Sequence, residues 1–267
     1  MKFTDTHAHL DSFENSGEIS EILRRARAAG VERIIACSTN PSNWRVYEKL
    51  ARENPDNVFW QAGIHPSDIS PEDDLSLDAL STYFIDAGKA GAPVAIGEIG
   101  LDFYRLPSDR AEIEKIRARQ IEIFSRQLGI AADLNLKVCV HARESLPECV
   151  GEIEKSGLNF ENVVFHCYSG TAQQLRELNL RGARASFTGI ITYKNSDEMR
   201  KAMLAQGLGM LMLETDCPYL APAPFRGKPC EPSMLVKTAE CAAELFGTSV
   251  DEIASRTEEN VRGFFGI

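Results

Sequence analysis

The sequence predicts an α/β protein, a (β/α)8 barrel of the TIM type that forms a single domain over residues 1–267. Three observations favour this class: eight short apolar runs, helical patterns between them, and a length of 267 residues that one barrel often fills. The competing architecture is an open, doubly wound sheet. No G-x-G-x-x-G follows the first strand, so that alternative lacks its usual nucleotide-binding signature.

The predicted strands are short runs rich in β-branched and aliphatic residues, and they are distributed along the whole chain. They cover residues 2–7, 31–38, 58–64, 94–99, 137–141, 163–167, 183–188 and 210–215.

Helical patterns occupy intervals between these strands and the end of the chain. ISEILRRARAAG closes with Gly30, a helix-stop signal, and NWRVYEKLAREN follows the second strand. The longest pattern runs from about Ser108 to Asn135. SMLVKTAECAAELFG and VDEIASRTEENVRGFF follow the last strand, and Ser249 is a reasonable N-cap for the second of them. The loop from Pro218 to Pro232 is rich in Pro, Gly and Ala, and we expect it to overhang the barrel mouth.

The composition limits the binding partners and the cellular compartment that can be expected for this chain. The net charge of −10 disfavours a protein that coats duplex DNA through a broad basic face, but it leaves room for nucleic acid held at one end with the help of metal ions. No signal peptide or membrane span is expected, and the seven widely spaced cysteines fit reduced thiols in a cytoplasmic protein. We expect a monomer without an obligate protein partner.

All five histidines lie at or just past the C-terminal end of a predicted strand. They are His7, His9, His65, His141 and His166. The strands of a barrel place these ends around one opening, and neutral imidazole is the commonest metal ligand. His7 and His9 are two residues apart in an extended segment, so their side chains share one face. The pattern therefore predicts a metal site at the barrel mouth, with His7, His9, His141 and His166 as ligands.

Acidic residues complete the predicted site. Glu98 lies inside the apolar run VAIGEIG, where a carboxylate is costly to bury unless it binds metal or forms an ion pair, for example with an arginine. Metal ligation is the favoured interpretation, and two carboxylate oxygens can bridge two cations. Asp216 ends LMLETD and is a further predicted ligand. Glu214 shares the face of Asp216, and it either orients a histidine or forms a core salt bridge.

Four histidines and two carboxylates exceed the needs of one ion and suit two divalent metals roughly 3.5–4 Å apart. Mg²⁺, Mn²⁺ and Zn²⁺ all match part of this ligand set. Such a pair activates water and neutralises charge at the attacked centre, and Asp216 is the predicted general base. Glu98 and Asp216 are therefore the predicted catalytic residues.

Several side chains near the predicted mouth are candidates for binding substrate. The planar guanidinium groups of Arg143, Arg105 and Arg226 match phosphate oxygens, whereas Lys228 is interpreted as a solvated surface charge. His65, in GIHP, is expected to contact substrate or a metal-bound water. Asp102 and Tyr104, in LDFY, are expected to orient these groups.

The motifs DTHAHLD, AGIHP, IGEIGLDFYR, VHARES, VVFHCYSG and LETDCPYLAP occur in one order along nearly the whole chain. Together they resemble the TatD family of metal-dependent hydrolases. The resemblance implies a TIM-like barrel of the amidohydrolase type and a divalent-metal phosphodiesterase, commonly a 3′→5′ exonuclease on ends of single-stranded DNA or RNA. Cys230 stands where asparagine is expected and Cys217 where serine is common, which bears on loop contacts rather than on ligands.

The resemblance also implies a division of the ligands between two metals, with Glu98 as the bridge. The first metal would be held by His7, His9, Glu98 and Asp216. The second metal would be held by Glu98, His141 and His166.

Two other functions remain open at this point. Metal-activated water could hydrolyse an amide, a lactone or an aminoacyl ester on the same scaffold. A non-catalytic scaffold stabilised by metal is a third possibility, although an intact ligand set argues against it. The nuclease is the favoured hypothesis, largely because of the resemblance.

Overall fold

Eight parallel strands, hydrogen-bonded in chain order from β1 to β8, enclose the centre of the molecule in the computed structural model, which describes residues 1–70, 73–85 and 91–267. The strands are β1 Phe3–Ala8, β2 Val31–Cys37, β3 Val58–Ala62, β4 Ala95–Asp102, β5 Val138–Arg143, β6 Val163–Phe165, β7 Arg184–Phe187 and β8 Met212–Leu213. All eight predicted strands are present, which confirms the (β/α)8 class.

Helices pack around the outside of the strands. They are α1 Asp11–Asn15, α2 Ile19–Ala28, α3 Trp44–Glu53, α4 Asp73–Leu80, α5 Thr82–Ile85, α6 Arg110–Asp133, α7 Leu146–Ser156, α8 Ala172–Leu180, α9 Asp197–Gln206, α10 Leu235–Phe246 and α11 Val250–Phe265. Short 3₁₀ turns lie at Pro41–Asn43, Phe160–Asn162, Gly189–Thr192 and Pro232–Met234. Among the described residues, none of these helices combines the length and apolar character that crossing a membrane requires.

Helix ends follow the local sequence signals. Helix α2 ends two residues before Gly30, which has a φ of +92° that glycine adopts without strain. The Ser249 side chain accepts a hydrogen bond from the Glu252 N–H and so caps α11, as predicted.

Two strand ends differ from the prediction. Strand β4 continues to Asp102, three residues further than predicted, because it stays paired with β5 through Arg143. Strand β8 ends at Leu213, two residues short of the predicted Thr215. The Thr215 N–H donates to the Asp5 carboxylate at 2.9 Å instead of to a neighbouring strand, so regular pairing stops there.

The two ends of the barrel have opposite character. At the N-terminal end, Phe264 and Phe265 of α11 pack on apolar side chains that include Ile35, Val164 and Met212. At the C-terminal end lie buried polar and charged side chains, among them His7, Glu98, His166 and Glu214. The apolar end therefore contributes stability, and the polar end is where a barrel places its chemistry.

Gly100 is required by the close approach of β4 to β5. It pairs with His141 at a φ of +146°, and a Cβ added there would lie 1.9 Å from the carbonyl oxygen of His141. Any side chain would push this part of β5 away, and L-residues rarely adopt such a φ.

We expect Gly100→Ala to lower the free energy of unfolding by roughly 3 kcal/mol, because both overpacking and backbone strain act at this position. The matched control is Gly129→Ala inside α6, where an added Cβ meets nothing within 4 Å. That control should raise the free energy of unfolding by about 0.5–1 kcal/mol. Urea midpoints measure both changes, and equal midpoints for the two variants would contradict the packing argument.

Candidate metal centre

Every histidine of the chain directs one ring nitrogen toward the carboxylate of Glu98. The five contacts are His7 Nε2 at 3.2 Å, His9 Nε2 at 3.6 Å, His65 Nε2 at 3.4 Å, His141 Nδ1 at 2.9 Å and His166 Nε2 at 2.6 Å. Glu98 is 3% exposed, and no lysine or arginine of the described residues pairs with it. The arginine ion pair considered above is therefore absent from the described part of the chain, and imidazole is the partner instead.

The two oxygens of Glu98 face different histidines. Oε2 faces the pair from β1, whereas Oε1 faces the histidines that lie in or after β3, β5 and β6. Asp216 lies on the Oε2 side, with Oδ1 3.3 Å from His9 Nε2 and 3.8 Å from His7 Nε2. The donor atoms thus form two groups that share one carboxylate.

Contacts at the second ring nitrogen orient two of the histidines. His9 Nδ1 lies 3.2 Å from the Cys37 carbonyl oxygen, to which it donates, and His141 Nε2 lies 3.2 Å from Asp102 Oδ2. Partners of this kind fix the tautomer and the ring plane of a metal ligand. Asp102 therefore lies where the sequence predicted an orienting residue.

Glu214 holds the backbone that follows β6. Its Oε1 accepts the Cys167 N–H at 2.6 Å and its Oε2 accepts the Ser186 hydroxyl at 2.5 Å, while His166 Nδ1 lies 3.8 Å from Oε1. Burial raises the pKa of Glu214 to about 7. Of the two alternatives predicted for Glu214, its contacts match orientation of the His166 segment, and the core salt bridge to lysine or arginine does not occur among the described residues.

Asp5 connects β1 to the segment that carries Asp216. Its carboxylate accepts the Thr215 hydroxyl at 2.5 Å and the His7 N–H at 3.3 Å, in addition to the Thr215 N–H. The Asp216 N–H then donates to the His7 carbonyl oxygen at 2.9 Å, and Asp216 has a left-handed φ of +58°. Such a conformation costs free energy in a non-glycine residue, and aspartate tolerates it better than most.

The protonation states of the candidate donor groups follow from these contacts. Burial lowers the pKa of His9, but the hydrogen bond to Asp216 and the charge of Glu98 outweigh it and raise the pKa to about 9. His141 reaches a pKa of about 9 in the same way, with Asp102 and Glu98 opposing burial. Burial also acts on Glu98 and Asp216, yet the neighbouring histidines hold both carboxyl pKa values below their usual range.

The pKa of His7 is lowered, whereas those of the other candidate histidine ligands His9, His141 and His166 are raised. Burial and the neighbouring His166, whose ring is stacked on His7 with centroids 3.9 Å apart, lower the pKa of His7 to about 4. His7 is therefore neutral at pH 7, the form that a metal requires. Its Nδ1 lies 3.5 Å from the Cys139 sulfur, which leaves Nε2 for the centre of the site.

The donor set fits divalent metal ions. His7 Nε2 and His166 Nδ1 are buried beside carboxylates, yet neither forms a hydrogen bond of good geometry with a described residue, although buried polar atoms are normally paired. Three groups place all their donor atoms within 4.8 Å of one another: His7, His9 and Glu98; His7, His166 and Glu214; and His65, Glu98 and His141. Imidazole with carboxylate is a set that Zn²⁺ and Mn²⁺ accept.

A pocket of about 1160 Å³ opens above these donors. Arg143 and Arg105 line it, and the Arg143 guanidinium stacks on the ring of Tyr104 at 3.9 Å from the centroid. Neither arginine forms an ion pair with a described residue. Arg226 does not line this pocket; it lies in an adjacent groove that the loop after β8 forms.

The structure brings the six predicted ligands together and adds residues that the sequence reasoning missed. His65 was predicted to contact substrate or water. Its Nε2 also lies 3.4 Å from Glu98, and His65 belongs to one of the groups whose donor atoms could hold a metal ion. Asp5 shares the two-residue period of His7 and His9, a signal that could have found it. Tyr219 lines the pocket from the loop after β8, and no local pattern marks that position.

A parallel barrel with histidines and carboxylates gathered at the C-terminal ends of its strands defines the class of metal-dependent barrel hydrolases. The sequence model of the family described as TatD related DNase matches residues 4–266. The chain belongs to this TatD family, and it is a metal-dependent hydrolase.

Relatives resemble the chain over its full length. The metal-dependent hydrolase YabD of Bacillus subtilis is 34% identical over 98% of each chain. An Erwinia tasmaniensis protein named 3′-5′ ssDNA/RNA exonuclease TatD is 31% identical over 98% of this chain and 99% of the relative. The crystal structure of YjjV, a TatD homologue from Escherichia coli, superposes with a TM-score of 0.88 at 29% identity and covers 99% of this chain and 98% of that one.

Removal of metal should lower thermal stability, because ions that bind only the folded chain stabilise it by mass action. For EDTA-treated protein, Mn²⁺ or Zn²⁺ at 100 times its Kd should raise Tm by about 5 °C. Glu98→Gln keeps the shape and removes the charge, so most of the increase should disappear. The control Glu198→Gln changes an exposed carboxylate in α9; an equal increase in Glu98→Gln and this control would contradict the site.

Metal binding should release protons at pH 7. His9 and His141 are protonated below their pKa of about 9 and must be neutral to bind metal, so apparent affinity should fall as pH decreases from 9 to 6. Calorimetry in two buffers of different ionisation enthalpy counts the released protons. In Asp102→Asn the pKa of His141 loses one of the two carboxylates that raise it and should fall, so fewer protons should be released at pH 7. The same count in both proteins would contradict this assignment.

Proposed function

We propose that the protein is a divalent-metal-dependent phosphodiesterase that removes nucleotides from the 3′ ends of single-stranded DNA or RNA. The observation that carries the proposal is the division of donor atoms between the two oxygens of Glu98, which suits a pair of metal ions. The family and the exonuclease name of the Erwinia relatives support a nucleic acid substrate.

Two ions would share Glu98 in this proposal. His7, His9 and Asp216 would hold the first ion with Glu98. His141 and His166 would hold the second. When bound, the ions lower the pKa of a water molecule and neutralise charge on the attacked phosphate.

Asp216 accepts the proton of the attacking water. It lines the pocket, and its pKa lies below the usual range, so the carboxylate is ionised and able to take a proton at neutral pH. The His7 carbonyl oxygen holds the Asp216 backbone, and His9 contacts its side chain, so the accepting oxygen has a defined position.

Arg143 and Arg105 bind the phosphate of the substrate. Both line the pocket without a carboxylate partner among the described residues, and a planar guanidinium matches phosphate oxygens. The face of Tyr104 supports Arg143 and limits its rotation. These arginines supply positive charge inside the pocket of a protein whose net charge is −10.

The test is release of nucleotides from single-stranded DNA labelled at the 3′ or the 5′ end, with Mg²⁺, Mn²⁺ or EDTA. Wild-type protein should release the 3′ label first, in a metal-dependent manner. Asp216→Asn should lower kcat by about 10²–10⁴-fold, because it removes the general base. The control Asp251→Asn, an exposed residue in the first turn of α11, should retain full activity.

Metal content measured on each variant separates loss of the base from loss of the ions. If metal-loaded wild-type protein releases no nucleotide from either end, the phosphodiesterase proposal is wrong. Turnover of an aminoacyl ester, a lactone or an amide by the same preparation would then assign the site to a different bond.

A further inference from the structure

A second groove adjoins the metal pocket on the side of the loop after β8. It has a volume of about 620 Å³, and residues 218–221, residues 226–229 and Tyr193 supply its walls. Tyr219 and Leu220 line both the groove and the metal pocket, so the two spaces adjoin at these residues. A polymeric substrate held at the metal centre could extend directly into this groove.

The loop that forms the groove has a fixed backbone. It packs so closely on Gly189 that an added Cβ would lie 2.6 Å from the Leu220 carbonyl oxygen. The Tyr193 hydroxyl donates to the Ala221 carbonyl oxygen at 2.8 Å, and the Ala223 N–H donates to the Thr192 hydroxyl at 2.8 Å. The groove is therefore formed before any ligand binds, which lowers the entropic cost of binding.

An exposed aromatic ring stands at the junction of the two spaces. Tyr219 is 62% exposed and lies edge-on to His9, with centroids 6.0 Å apart. Among the described residues, the strongly exposed aromatic side chains are Tyr219 and Tyr104, and Tyr104 supports the pocket-lining Arg143. A ring that faces solvent beside a pocket offers a surface on which a nucleobase can stack, and such stacking accepts any of the bases.

Cations without partners lie further along the groove. The Arg226 guanidinium lies 4.5 Å from the centroid of Tyr193, and Lys228 is exposed two residues later. Neither forms an ion pair with a described residue, whereas many other arginines of the described chain pair with carboxylates. In an acidic protein, an arginine held on a ring and left unpaired is available to an anion.

We propose that this groove binds the nucleotide adjacent to the one that is cleaved off, with its base on Tyr219 and its phosphate on Arg226 and Lys228. The inference rests on the phosphodiesterase proposed above and deepens it. It makes the enzyme prefer oligonucleotides over small phosphodiesters, because a small diester fills the metal pocket alone.

The test compares a 3′-labelled single-stranded decanucleotide with bis(p-nitrophenyl) phosphate, which has no neighbouring nucleotide. The measured quantity is the ratio of kcat/KM for the two substrates. Tyr219→Ala and Arg226→Ala should each lower this ratio about tenfold, mainly through a higher KM for the oligonucleotide. The control Arg27→Ala removes an exposed arginine of α2 that forms no ion pair with a described residue, and it should leave the ratio unchanged.

A ratio that stays constant in both groove variants would overturn the subsite while leaving the phosphodiesterase intact. If wild-type protein cleaves neither substrate, the groove is tested by binding alone. Fluorescence anisotropy of the labelled decanucleotide in EDTA then measures the affinity of each protein. Binding that weakens about tenfold in Tyr219→Ala and Arg226→Ala would support the groove without the nuclease. Absence of binding, or equal binding by all four proteins, would overturn the groove.

Discussion

The buried charge of Glu98 is the constraint around which the upper half of the barrel is arranged. A carboxylate at 3% exposure stays ionised only if partners replace the water that it has lost, and among the described residues its charged partners are imidazoles. The histidines arrive from four different strands or strand ends, so the carboxylate and its partners meet only when the barrel closes. Raised pKa values place protons, and so positive charge, on His9 and His141 beside this carboxylate.

A layer of less obvious residues keeps these ligands in place. Asp102 contacts His141, the Cys37 carbonyl contacts His9, and Glu214 holds the backbone after His166. Asp5 in the first strand also bonds to Thr215, just after the last strand. It therefore holds the segment of His7 against the segment of Asp216. Partners of this kind set ligand orientation as much as the ligands themselves do. The stability cost of the polar end is offset at the other end, where α11 seals the barrel with Phe264 and Phe265.

Much of the architecture could be predicted from local patterns. The eight strands and the five helices singled out were predicted near their observed positions, because apolar periodicity and capping residues act over a few neighbouring positions. The end of β8 was not predicted correctly, because the Thr215 N–H donates to Asp5, which is 210 residues away in the chain. A hydrogen-bond acceptor so distant in the sequence cannot be predicted from the residues of the strand itself.

The sequence by itself determined that the histidines stand at strand ends and that Glu98 lies in an apolar run, since both are properties of short segments. Only the tertiary structure decided which oxygen of Glu98 faces which histidine, because that depends on how neighbouring strands are staggered. It also decided that His65 approaches Glu98 and that Tyr219 joins two pockets. Those contacts come from loops folded over the mouth, and their positions depend on packing against other segments.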